Sequence, residues 1–135
     1  MENAQKAVAD GFQVVKMGLS KGAGTNDVAR VRNVAAGIVG KGQVMVDSLG
    51  AYKLGEAQHV GAQLDEIPNI AWWEDALAPE DTAGYPTLSA QMKAPVVAGE
   101  MLSNRYQLRD LLMHKSVDII NPDVCRAGGI TECKR

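Results

Sequence analysis

The chain has 135 residues, 46% of them hydrophobic and 22% charged, which suits one soluble domain with a modest core and excludes a disordered or fibrous segment. Fourteen basic against sixteen acidic side chains leave a net charge of −2, so the cationic footprint of a nucleic-acid partner is missing. No apolar run approaches the roughly 18 residues that span a bilayer, and MENAQKAVADG at the start has neither the basic flank nor the apolar centre of a signal peptide. The expectation is a cytoplasmic protein with no membrane partner. Cys125 and Cys133 stand eight residues apart, which fits neither a CxxC pair nor a disulfide scaffold, and they read as reduced bystanders.

In chain order, MENAQKAVADG reads as a helix closing the unit before the first strand, FQVVKM (12–17). A glycine-rich stretch, GLSKGAGTND, follows. It lacks the GxxxxGK[ST] pattern and does not complete GxGxxG, so a loop explains it better than a phosphate cradle. Thr25 or Asn26 can cap the next helix, whose stripe is Val28, Val31, Ala35 and Ile38, and Gly40 can end it. QVMVD (43–47) is a second strand, and Ala57, Val60, Leu64 and Ile67 mark a second such helix. IAWWED (70–75) is the third strand, with Trp72 and Trp73 on opposite faces and both in the core. Pro79, Glu80 and Asp81 suit a helix start, PVVAG (95–99) is the fourth strand, Leu108, Leu111 and Leu112 make a shorter stripe, and VDIIN (117–121) is the fifth strand. GGITECKR opens a last helix.

Five apolar strands alternating with helices imply an α/β fold with parallel strands buried on both faces and right-handed crossovers. The alternation alone does not separate an open doubly wound sheet from a barrel. The strand ends do. Asp47 closes QVMVD, Glu74 follows IAWW, Glu100 follows PVVAG and Asp123 follows VDIINP, at steps of 27, 26 and 23 residues. Each step is one βα unit, so in a barrel these acids converge on the mouth that carries the chemistry. Converging carboxylates repel, whereas a hard divalent ion takes several of their oxygens and keeps positions open for substrate; the ladder therefore implies magnesium or manganese. Asp75 and Asp118 neighbour strand ends without keeping the period, and read as structural groups or supports for the ligands.

Taken together, VKMG, MVDSLGAY, WWEDALAPEDTAGY, VVAGEMLSNRYQLRDLL and DIINPDVCRAGGITE resemble, in order and spacing, the C-terminal barrel domain of the mandelate racemase and muconate lactonizing branch of the enolase superfamily. The resemblance implies a partial (β/α) TIM-type barrel with about five consecutive parallel strands, residues 1–135 forming one partial barrel domain without the lid domain and the final barrel units. It places the metal ligands on Asp47, Glu74 and Glu100, with Mg2+ as cofactor and Mn2+ as the other candidate. Lys16 falls on the first lysine of the family's lysine-x-lysine motif, near the substrate carboxylate; Gly18 replaces the second, often the base. Asp123 falls on the aspartate of the histidine-aspartate dyad, whose histidine lies beyond Arg135. Leu49 stands where many relatives have asparagine. These departures look more like the acid-sugar dehydratases than the racemases.

The implied activity is removal of the proton next to the carboxylate of a small substrate, a sugar acid, followed by loss of the β-hydroxyl to leave a 2-keto-3-deoxy acid. A racemase or epimerase of the same superfamily is the alternative. An alternative of another class is a truncated, inactive metal-binding fragment that self-associates through its open strand edges. The full-length protein is expected as a homo-oligomer. His59 and His114 read as surface groups, and Arg105 and Arg109 as surface ion pairs, with Arg105 near enough to Glu100 in sequence to support it.

Overall fold

In a computed structural model of the chain, which describes residues 1–19 and 26–135, strands and helices alternate from end to end. The order is α1 (Glu2–Ala9), β1 (Val14–Gly18), α2 (Asn26–Ile38), β2 (Gln43–Asp47), α3 (Leu54–Leu64), β3 (Ile70–Glu74), α4 (Gly84–Gln91), β4 (Val96–Ala98), α5 (Arg105–Met113), β5 (Ile119–Ile120) and α6 (Ile130–Lys134). All five strands are parallel and pair in sequence order, β1-β2-β3-β4-β5. A helix after every strand and no reversal of strand order make one arc of a barrel wall rather than a doubly wound sheet, whose order doubles back.

The outward face of this arc holds the core. Val44, Val46, Trp73 and Val96 are fully buried there with the helix stripes Val31, Ala35, Ile38, Ala57, Leu64 and Leu88. The spacing expected for α2 and α3 therefore holds residue by residue. It holds less well for α5, where Leu108 and Leu111 are buried but Leu112 is 56% exposed. Leu112 keeps the helical spacing but lines an open groove between α5 and α6, with Arg109 and Cys133, where nothing among the described residues covers it.

Helix punctuation is mixed. Gly40 takes φ 75° and turns the chain after α2, as its position suggests. Pro79, Glu80 and Asp81 form a turn instead of a helix start; Asp81 accepts a 2.9 Å hydrogen bond from Gly84 N–H, and α4 begins there. The cap of α5 is Asn104, whose Oδ1 accepts from Tyr106 and Gln107 N–H at 3.0 and 3.1 Å. Thr25, the side chain of Asn26 and the centre of the glycine-rich stretch lie outside the described residues.

Trp73 donates from its indole to Ser48 Oγ at 2.7 Å and meets Tyr52 edge-on, sealing the loop after β2 against β3. Trp72 is not core: it is half-buried on the inner face, where the alternation of the strand places it beside Glu74. Among the described residues, β1 and β5 each pair on one side only, and Phe12 and Ile119 near those edges are 64% and 41% exposed. No helix among the described residues is long and apolar enough to cross a membrane.

Candidate metal centre

Register brings the acids together. Gly18 pairs with Asp47, Asp47 with Glu74, and Glu74 with Val97, one row across four parallel strands at their carboxyl ends. Two carboxylates directly opposite each other on neighbouring strands repel unless a cation lies between them. Here that cation is Lys16, two residues back on β1 and so on the same face. Its Nζ lies 2.8 Å from Asp47 Oδ2 and 2.8 Å from Glu74 Oε2. Burial opposes the ammonium charge, but hydrogen bonds to Asp47 and Glu74 and their negative charge outweigh it and raise the Lys16 pKa. The Lys16 side chain remains 41% exposed, so this bridge borders solvent.

Glu74 is the most heavily held of the acids. Besides Lys16, its Oε2 faces the Trp72 indole N–H at 3.4 Å, and its Oε1 accepts from Asn121 Nδ2 at 2.8 Å. Asp47 accepts from Leu49 N–H at 3.1 Å through Oδ1. Leu49 itself has φ 48° and is 63% exposed, an uncommon backbone for a branched side chain.

Among the described residues, Glu74, Asp75 and Glu100 each bring a carboxylate oxygen within 4.8 Å of the other two. Asp75 thus joins the acids, although the strand period sets it apart. In an extended strand residues 74 and 75 point to opposite faces. Asp75 lies just past β3 with φ 45°, and this left-handed backbone breaks the alternation. The side chain is 1% exposed and its Oδ2 has no hydrogen-bond partner. Burial first, then the charges of Glu100, Glu74 and Asp47, push its pKa up to about 7 against an opposing backbone hydrogen bond from Gly99. A cluster of hard oxygens with a buried, unpaired carboxylate among them suits a divalent cation such as Mg2+, which supplies the missing countercharge. The residues present fit such an ion.

Glu100 reaches the cluster because Gly99 turns the chain sharply after β4, with φ 135°. A Cβ at that position would meet Leu108 Cδ2 at 3.2 Å and Asn121 N at 3.4 Å. Gly99→Ala is therefore expected to lower stability by about 2 kcal/mol, from left-handed strain and crowding together. Chemical denaturation checks this; an unchanged midpoint would mean that the turn tolerates a side chain.

Asp123 follows β5 at the same end of the sheet but stands apart from the cluster. Its Oδ1 accepts from Cys125 N–H at 2.7 Å, and its Oδ2 lies 4.0 Å from Arg126 Nε. Asp118 is structural, accepting from Val96 N–H at 2.8 Å and from Ser89 Oγ at 3.3 Å. Arg105 pairs with Glu132 at 3.4 Å, not with Glu100, and Arg109 pairs with Asp110 at 2.7 Å. His59 and His114 are both exposed on the helical side. Around Gly18, where the lysine-x-lysine motif would carry its second lysine, a Cβ would find only Asp47 O at 3.9 Å. That position is open. Sequence spacing missed Asn121, Trp72 and Asp75, since none keeps the period of the ladder.

The comparisons agree with the partial-barrel fold. Among curated proteins, D-galactarolactone cycloisomerase of Agrobacterium fabrum (strain C58) is 30% identical over 127 residues, 94% of this chain and 33% of that protein. Among solved structures, the 3,6-anhydro-D-galactonate cycloisomerase from Zobellia galactanivorans superposes with a TM-score of 0.91 at 32% identity, covering 98% of this chain and 37% of that one. The L-talarate dehydratase from Polaromonas sp. JS666, complexed with Mg and L-glucarate, does so with a TM-score of 0.91 at 29% identity, over 98% and 37%. The chain spans about a third of the length of the relatives it matches. The family model described as enolase C-terminal domain-like matches residues 1–135: the chain belongs to that family, in the mandelate racemase and muconate lactonizing branch of the enolase superfamily.

Proposed function

We propose that this chain carries the metal-holding part of a magnesium-dependent enzyme that removes the α-proton of a sugar acid, with dehydration to a 2-keto-3-deoxy acid as the overall reaction. The observation that carries the reading is the convergence of Glu74, Asp75 and Glu100 to within 4.8 Å at the carboxyl ends of adjacent strands, with Asp47 in register beside them. The names of its relatives, dehydratases and cycloisomerases of galactonate, galactarate and talarate type, support the substrate class.

Asp47, Glu74 and Glu100 are assigned as ligands, with Asp75 next to them and Mg2+ preferred over Mn2+. A divalent cation held there supplies a concentrated positive charge for the carboxylate oxygens of the substrate. Lys16 is half-exposed at the edge of the cluster, and with its acid partners engaged elsewhere its ammonium turns to the substrate carboxylate. That pairing orients the acid and favours build-up of negative charge on its oxygens as the α-proton leaves. Gly18 offers no base. Asp123 is assigned the orientation of a histidine base supplied from outside these 135 residues, through the acceptor oxygen that Arg126 approaches only to 4.0 Å. Trp72 screens Glu74 from water on the inner face.

The test is to incubate the full gene product and magnesium with a panel of aldonates and aldarates in deuterated water. Formation of a 2-keto acid supports the dehydratase. Exchange of the α-proton without a 2-keto acid assigns a racemase or epimerase instead, and neither product nor exchange removes the enzymatic reading.

A further inference from the structure

Asn121, the residue after β5, carries a buried polar atom that the fold leaves without a partner. Its Nδ2 donates to Glu74 Oε1 at 2.8 Å across 47 positions of sequence, so its side chain reaches from β5 past β4 to the end of β3. Its Oδ1 is buried with no hydrogen-bond partner. A buried amide oxygen without a hydrogen bond costs stability, and an apolar side chain of the same shape would not carry that cost. The amide has one workable orientation, because turning it over would set Oδ1 against a carboxylate oxygen. Its backbone is anchored as well. Asn121 N–H donates to Ala98 O at 3.3 Å, and the space around the side chain is kept by Gly99, where a Cβ would stand 3.5 Å from Asn121 Oδ1.

The two oxygens of Glu74 are thus held unequally. Oε1 has a neutral, part-buried donor fixed by the sheet, whereas Oε2 has a half-exposed lysine and a long indole contact. A donor fixed on one carboxylate oxygen sets the plane of the group and leaves the other oxygen free to exchange its partner. We infer that Asn121 is a positioning residue for Glu74: it fixes the orientation of this carboxylate so that Oε2 is presented to a divalent cation in exchange for Lys16. The inference rests on the metal-site reading above and adds to it a residue that touches neither metal nor substrate.

Two measurements on the 135-residue chain separate the inference from the reading on which it rests. The first is a double-mutant cycle without metal, with Asn121→Leu, Glu74→Met and the pair, read as the unfolding equilibrium constant; Asn121→Ala, which removes the donor without adding a charge, serves as a second variant should the leucine disturb folding. A coupling of roughly tenfold is expected between the two positions. The second is Mg2+ affinity by calorimetry, expected to fall roughly tenfold in Asn121→Leu and Asn121→Ala while each variant keeps a cooperative melt. Wild-type affinity retained in both variants would overturn the positioning role. If the wild-type chain itself takes no Mg2+, the metal-site reading fails, and the cycle alone decides: coupling near onefold would overturn the Asn121 assignment too.

Discussion

Glu74→Gln is expected to abolish the response of the protein to magnesium. At a concentration a hundredfold above its dissociation constant, a ligand that binds only the folded state adds about 2.7 kcal/mol of stability, and the wild-type melting temperature should rise accordingly. The variant loses the acid that stands at the centre of the site, in register with Asp47 and grouped with Asp75 and Glu100. A neutral amide still offers one carbonyl oxygen, but without charge it gives a divalent cation little reason to shed its water. We expect saturable heat in calorimetry for the wild type, none for the variant at the same concentrations, and a melting temperature of the variant that does not move with Mg2+. The metal-free fold should survive, because the amide oxygen can still accept from Asn121. Equal binding by both proteins would remove Glu74 from the ligand set.

Asp75→Asn is expected to do the opposite to the metal-free protein and make it more stable. The folded state holds this carboxyl with a pKa near 7, against about 3.9 for an unperturbed aspartate. Between those values the folded chain binds the proton more tightly than the unfolded chain, so wild-type stability should fall as pH rises from about 4 to about 7 and level off above that. At the upper end the cost is on the order of 4 kcal/mol. Asparagine cannot ionise, and it tolerates the left-handed backbone at this position, where φ is 45°. The pH dependence over this window should therefore flatten in the variant, and denaturant midpoints at pH 5 and pH 8 would show it. The same variant should bind Mg2+ more weakly. Gain of stability with loss of affinity marks a residue kept for its site and not for its fold; a variant no more stable than the wild type at pH 8 would show that Asp75 does not bear the repulsion of the cluster.

Much of this molecule is legible in its sequence. The apolar runs and stripes fix the strands and helices because burial on two faces or one leaves a direct trace in residue type, and the residues of α2 and α3 bear this out position by position. Asp47, Glu74 and Glu100 are legible for a similar reason, since a repeat of one βα unit returns each strand end to the same edge, whereas Asp123 shares that edge and stays apart from the cluster. Asp47 and Glu74 fall in one row by register alone. The resemblance to the enolase superfamily rests on these same strings.

What the tertiary structure alone decided concerns directions and partners. Asp75 does not keep the spacing of the ladder and so reads in the sequence as a structural or supporting group, yet a left-handed backbone at this single residue brings its carboxylate in beside Glu74 and Glu100. Asn121 reaches Glu74 across 47 residues by a hydrogen bond that no spacing rule predicts, and Lys16 settles between two acids because a parallel register places it diagonally from both. Local pattern records which face a residue would take in ideal geometry. Which oxygen a donor finds depends on deviations from that geometry and on neighbours distant in the chain, and those exist only once the sheet has formed.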